Sequence, residues 1–110
     1  MQARCNAARQ ISVATSAVEN EAELHTQILD YCSSKGWIAF HGNMARATGR
    51  TLGEPDFEIL IDGGRFLLIE CKTKTGKLSV EQQGMILWAE KLGHKIHVVR
   101  SMEEFVCLAK

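Results

Sequence analysis

Val18, Ala22, His25, Ile28, Leu29 and Cys32 recur at helical intervals, and Lys35-Gly36 then stops the pattern. Ser16-Ala17-Val18-Glu19 has the spacing of a capping box, so the first helix is predicted over about residues 17–34. The period then changes. Trp37-Ile38-Ala39-Phe40-His41 reads as a strand, followed by a polar, glycine-punctuated loop over residues 42–53 that carries Asn43, Arg46 and Arg50. Phe57-Glu58-Ile59-Leu60-Ile61 and Phe66-Leu67-Leu68-Ile69 are strand-like by β-branched and aromatic content, and Asp62-Gly63-Gly64-Arg65 between them is turn chemistry, which predicts an antiparallel hairpin. Residues 73–78 form another loop. Ser79 and Gln82 make a capping box for a helix that Gly93 ends, with Gln82, Ile86 and Ala89 on the face toward the sheet. A buried strand at Ile96-His97-Val98-Val99-Arg100 and a short final helix capped by Ser101-Met102-Glu103-Glu104 complete the order αβββαβα, a mixed sheet flanked by helices. Residues 1–15 show no periodicity and are expected to be a flexible or loosely packed arm available for oligomer contact, leaving 16–110 as the folded domain.

The hairpin register decides which polar groups meet. Placing Phe57, Ile59 and Ile61 on one face with Leu67, Ile69 and Cys71 requires an odd loop, three residues containing glycine. Asp56 then shares a face with Glu70 and Lys72. Residues two apart on a strand point the same way and lie roughly 6–7 Å apart along it, so Glu70 and Lys72 flank one small volume with Asp56 opposite. Juxtaposed carboxylates repel unless a cation bridges them, and an all-oxygen pair suits a hard ion, Mg²⁺ or Mn²⁺. An acid entering an apolar strand, as Asp56 does, and one ending an apolar run, as Glu70 does, are both costly without a partner. The layout is that of metal-dependent phosphodiester hydrolysis.

Composition narrows the setting. The 110 residues make one domain, and 45% hydrophobic with 24% charged residues is ordinary for a globular protein. Thirteen Lys and Arg balance thirteen Asp and Glu, so a nucleic-acid contact must use a local patch rather than overall charge. Arg46, Arg50, Lys72, Lys74 and Lys77 are its candidates. Cys5, Cys32, Cys71 and Cys107 are scattered and without a Cys-x-x-Cys pair, so neither a zinc ribbon nor a disulfide framework is indicated, and reduced thiols in a cytoplasmic setting are expected. No apolar run is long enough to span a bilayer, so no membrane role is expected. The four histidines are unclustered; His25 and His41 lie nearest the proposed site.

Taken together, Glu21-Ala22-Glu23-Leu24 at a helix start, Gly53-Glu54-Pro55-Asp56, Ile69-Glu70-Cys71-Lys72 and then Thr75-Gly76-Lys77-Leu78-Ser79-Val80-Glu81-Gln82 resemble the PD-(D/E)XK nuclease superfamily, and within it the VRR-NUC (virus-type replication-repair nuclease) branch, stand-alone phage or prophage type. The resemblance covers the chain from about residue 17 to its end. Two positions depart from the family pattern: His25 stands where glutamine is common, and Cys71 where a small branched residue is common. Neither removes a metal ligand.

The resemblance implies a restriction-endonuclease-like core and specific roles. Asp56, Glu70 and the backbone carbonyl of Cys71 would hold Mg²⁺ or Mn²⁺, while Lys72 would position or deprotonate the attacking water and stabilise the phosphate. Glu21 would orient a metal-bound water or bind a second ion, with Glu23 as the alternative if the helix is rotated. Gln82 would support the lysine and the substrate phosphate; Lys74 and Lys77 would contact phosphates. The activity implied is endonucleolytic cleavage of DNA, branched DNA such as a Holliday junction above all, by a homodimer in the cytoplasm of a bacterium or phage-infected host cell. The alternatives are a nickase of flap or duplex DNA, and a non-catalytic nucleic-acid-binding module.

Overall fold

The computed structural model describes residues 20–42 and 51–110. In chain order the elements are α1 (Glu21–Lys35), β1 (Ile38–His41), β2 (Phe57–Leu60), β3 (Phe66–Cys71), α2 (Val80–Lys91), β4 (Ile96–Val99) and α3 (Met102–Ala109). The strands form one mixed sheet in the order β1-β2-β3-β4, antiparallel except for the β3–β4 pair, whose parallel alignment is made possible by the α2 crossover. Among the described residues no helix is long and apolar enough to cross a membrane.

The hairpin has the register that the apolar alternation predicts. Phe57 lies opposite Ile69 and Ile59 opposite Leu67, and Ile61 N–H donates to the Arg65 carbonyl across a three-residue Asp62–Gly64 turn. Gly63 and Gly64 both have positive φ there, a conformation that costs a side-chain-bearing residue about 1–2 kcal/mol. Extending the same pairing one residue outward sets Asp56 opposite Glu70.

The first helix starts later than the sequence pattern predicts. Asn20 is in extended conformation (φ −138°, ψ 163°) and its side chain accepts the Glu23 N–H at 2.8 Å, so Asn20 is the cap and α1 begins at Glu21. The expected capping box at Ser16–Glu19, Val18 of the apolar stripe and the arm at 1–15 lie outside the described residues, as do Asn43, Arg46 and Arg50. The buried stripe of α1 is Leu24, Ile28 and Cys32, while Ala22 is exposed; Leu24 takes the inward place that the predicted pattern gave to its neighbours.

One face of the sheet carries the core. Leu24, Ile28 and Cys32 of α1 pack with Phe57, Ile59, Ile69 and Cys71 of the hairpin and with Met102, Phe105, Val106 and Ala109 of α3. The final helix is thus short but central, because four of its eight residues are buried. The other face is more open: α2 buries no residue, and Ile38, Phe40, Leu60 and Phe66 are exposed. β4, expected as a buried strand, is an edge strand in which Ile96 and Val99 alone are fully buried. Cys32 and Cys71 are buried free thiols, and Cys107 is half-buried.

Candidate active site

The open end of the hairpin gathers acids. Asp56 enters β2 and Glu70 nearly ends β3; they are 5% and 2% exposed, the two charged side chains buried among the described residues. One Asp56 oxygen, Oδ2, accepts the Cys71 N–H at 2.8 Å, which fixes the carboxylate against the neighbouring strand. In an extended strand the N–H and C=O of one residue point to the same side, so the Cys71 carbonyl also faces Asp56; Lys72, one residue on, turns to β4 and donates its N–H to the Val99 carbonyl.

Glu70 Oε2 accepts from Gln82 Nε2 at 2.7 Å. Gln82 is held in turn by its capping box, in which Oε1 accepts the Ser79 N–H and Ser79 Oγ accepts the Gln82 N–H. The same side chain therefore caps α2 and reaches the acid pair. Gly53 makes this junction possible. Its φ is +81°, and a Cβ there would lie 2.3 Å from the Glu81 carbonyl oxygen, so the Gly-x-Pro-Asp segment lies directly on the first turn of α2.

Electrostatics mark the pair as unbalanced. Burial pushes the Glu70 carboxyl up to about 8, helped by the charges of Asp56 and Glu21 and opposed by the nearby Lys72 ammonium. Burial likewise drives the Cys71 thiol far above its ordinary value. Glu21 thus stands on the Glu70 side of α1, whereas Glu23 is engaged in the helix cap, its Oε1 accepting from Asn20 Nδ2 at 3.1 Å. Lys72 is half-buried, and Lys74 and Lys77 are exposed on the following loop. His41 stacks at a tilt on Phe57 and lines a small cleft with Glu54, Pro55, Asp56 and Glu58.

One contributor, Arg100, was missed in the sequence, and a second, His25, was placed near the site without a role. Arg100 donates from Nη1 to the Thr73 and Gly76 carbonyls at 2.7 and 2.6 Å, tying the loop after Lys72 to the end of β4. His25 lies one turn after Glu21 on α1, with Nε2 3.5 Å from Asp56 Oδ2. The i, i+4 spacing of Glu21 and His25 was the available signal for the second; a lone arginine at a strand end gave none for the first.

The residues present fit a divalent cation. Two buried carboxylates side by side, with a backbone carbonyl directed at them, are an oxygen donor set whose negative charge the neighbouring Lys72 and Gln82 offset only in part. The histidine, aspartate and cysteine ligand atoms of His25, Asp56 and Cys71 also lie within 4.8 Å of one another.

Comparison with known proteins agrees with the fold. A solved structure titled VRR_NUC domain superimposes with a TM-score of 0.64 at 19% identity, over 79% of this chain and 90% of that one. The chain has the mixed α/β fold of that domain, a four-stranded sheet flanked by helices. No protein-family model matches the chain, and no curated protein does.

Proposed function

We propose that this protein is a Mg²⁺- or Mn²⁺-dependent endonuclease that hydrolyses phosphodiester bonds in DNA. The observation that carries the reading is the buried Asp56–Glu70 pair with Lys72 beside it, on a fold shared with a VRR_NUC domain. Asp56, Glu70 and the Cys71 carbonyl would hold the ion. A divalent cation bound there supplies a Lewis acid that polarises the phosphate and makes water a nucleophile at neutral pH. Lys72 orients the attacking water, takes up its proton or hands it to solvent, and offsets charge on the phosphate. Gln82 holds Glu70 in place, and Glu21 orients water from the helix side. Lys74 and Lys77, with Arg46 and Arg50 from the 42–53 loop, contact the DNA backbone; such contacts position the substrate without reading its sequence.

The preferred substrate is branched DNA, a four-way junction above all, cut by a homodimer whose two-fold axis matches that of the junction. Apolar surface for a second copy is present: Ile38, Phe40, Leu60 and Phe66 are exposed on the sheet face away from α1 and α3, an alternative to the arm expected at residues 1–15. A nickase of flap or duplex DNA uses the same site and differs only in substrate choice. The test is cleavage of a labelled four-way junction, a flap and a linear duplex with Mg²⁺ or Mn²⁺, alongside sedimentation at micromolar concentration. Preferential junction cutting by a dimer supports the full reading. Equal cutting of all three rejects junction specificity, a monomer rejects the homodimer, and no metal-dependent cutting favours a non-catalytic binding module.

A further inference from the structure

His25 presents an unusual nitrogen to the acid pair. The side chain is 16% exposed, but Nε2 itself is buried and makes no hydrogen bond. Its position is not loose: the ring packs edge-on against Phe57, centroids 5.0 Å apart at 71°, and its helix is anchored through Leu24 and Ile28 in the core. Nε2 instead lies 3.5 Å from Asp56 Oδ2, without hydrogen-bond geometry. Two atoms that each sit about 2.1 Å from one ion, at angles of 90–110°, are about 3.0–3.5 Å apart. A buried polar atom without a partner is costly, and a metal ion satisfies it as well as a hydrogen bond does.

We propose that His25 Nε2 is a ligand to the ion held by Asp56, so that the site has a nitrogen donor beside its carboxylates. This rests on the nuclease reading of the same site and adds to it a metal preference. Imidazole suits transition metals, whereas Mg²⁺ takes oxygen donors and water. The site therefore favours Mn²⁺ over Mg²⁺ by more than an all-oxygen site would, and His25→Gln removes most of that difference while keeping a side chain of similar reach beside Asp56.

The test reads the bound ion directly. The full chain is loaded with one equivalent of Mn²⁺ and examined by pulsed electron paramagnetic resonance for ¹⁴N modulation from a coordinated imidazole, in the wild type, His25→Gln and Asp56→Asn. Calorimetric affinities for Mn²⁺ and Mg²⁺ are measured on the same proteins. The expected result is ¹⁴N modulation in the wild type that is absent from His25→Gln, with Mn²⁺ affinity falling roughly tenfold in that variant and Mg²⁺ affinity changing by about twofold or less. Mn²⁺ bound in an Asp56-dependent way without ¹⁴N modulation overturns the histidine ligand and leaves the nuclease site standing. Mn²⁺ binding that Asp56→Asn does not weaken overturns both. The wild-type spectrum decides the matter even if a variant fails to fold.

Discussion

The two ends of the β2–β3 hairpin each carry acids, and their surroundings differ in kind. At the turn end, Asp62 Oδ2 accepts from Trp37 Nε1 at 3.1 Å, and the Asp62 carbonyl accepts from Arg65 Nε, whose Nη1 also reaches the Lys110 carbonyl. That carboxylate is solvated, partnered and structural. At the open end, Asp56 and Glu70 are buried together, and Glu70 holds its proton up to about pH 8 because burial and Asp56 oppose its ionisation. A fold that needed only stability could place apolar residues there; buried charge left this unbalanced points to a cation and to chemistry.

The largest contrast is catalytic. Asp56→Asn and Lys72→Ala should each lower cleavage by roughly a hundredfold or more, while Asp62→Asn should leave it within about twofold, measured on labelled DNA at saturating metal. A comparable loss from Asp62→Asn would erase the distinction between the ends. Next comes the joint between the Asp56 segment and α2. Gly53→Ala puts a side chain at φ +81° against the Glu81 carbonyl, so it should cost about 2 kcal/mol or more in urea unfolding and depress cleavage as well, by separating Asp56 from Gln82 and Glu70.

The acid pair should also be visible in stability against pH without divalent ion. Glu70 binds a proton more tightly folded than unfolded, so its contribution is fully present below about pH 4.5 and is lost as pH rises toward about 8. The melting temperature in chelator should fall over that window by roughly 5 °C, and Glu70→Gln should flatten the fall; an unchanged slope in the variant would remove Glu70 from the account. The smallest effect belongs to the turn end. Trp37→Phe deletes one hydrogen bond to Asp62 and should cost about 0.5–1.5 kcal/mol with cleavage unaltered.

Much of this was legible in the residues. Phe57, Ile59 and Ile61 alternate with more exposed neighbours, and placing them on one face with Leu67, Ile69 and Cys71 across an odd, glycine-containing loop selects the register that puts Asp56 opposite Glu70. The α2 cap was equally clear, since Ser79 and Gln82 satisfy each other locally. The start of α1 was misplaced because Ser16-Ala17-Val18-Glu19 and Asn20-Glu21-Ala22-Glu23 offer competing caps, and only the extended backbone of Asn20 chooses between them. Contacts between distant segments carry no local pattern. The seat of Gly53 on Glu81, the grip of Arg100 on the Thr73–Gly76 turn and the approach of His25 to Asp56 all depend on how helices settle on the sheet.

The most direct measurement is calorimetric titration of Mg²⁺ and Mn²⁺ into the wild type, Asp56→Asn and Asp62→Asn at pH 7.5. A cation site at Asp56 gives saturable binding to the wild type, retained in Asp62→Asn and lost or weakened at least tenfold in Asp56→Asn. No binding to the wild type, or equal binding to all three proteins, would contradict it.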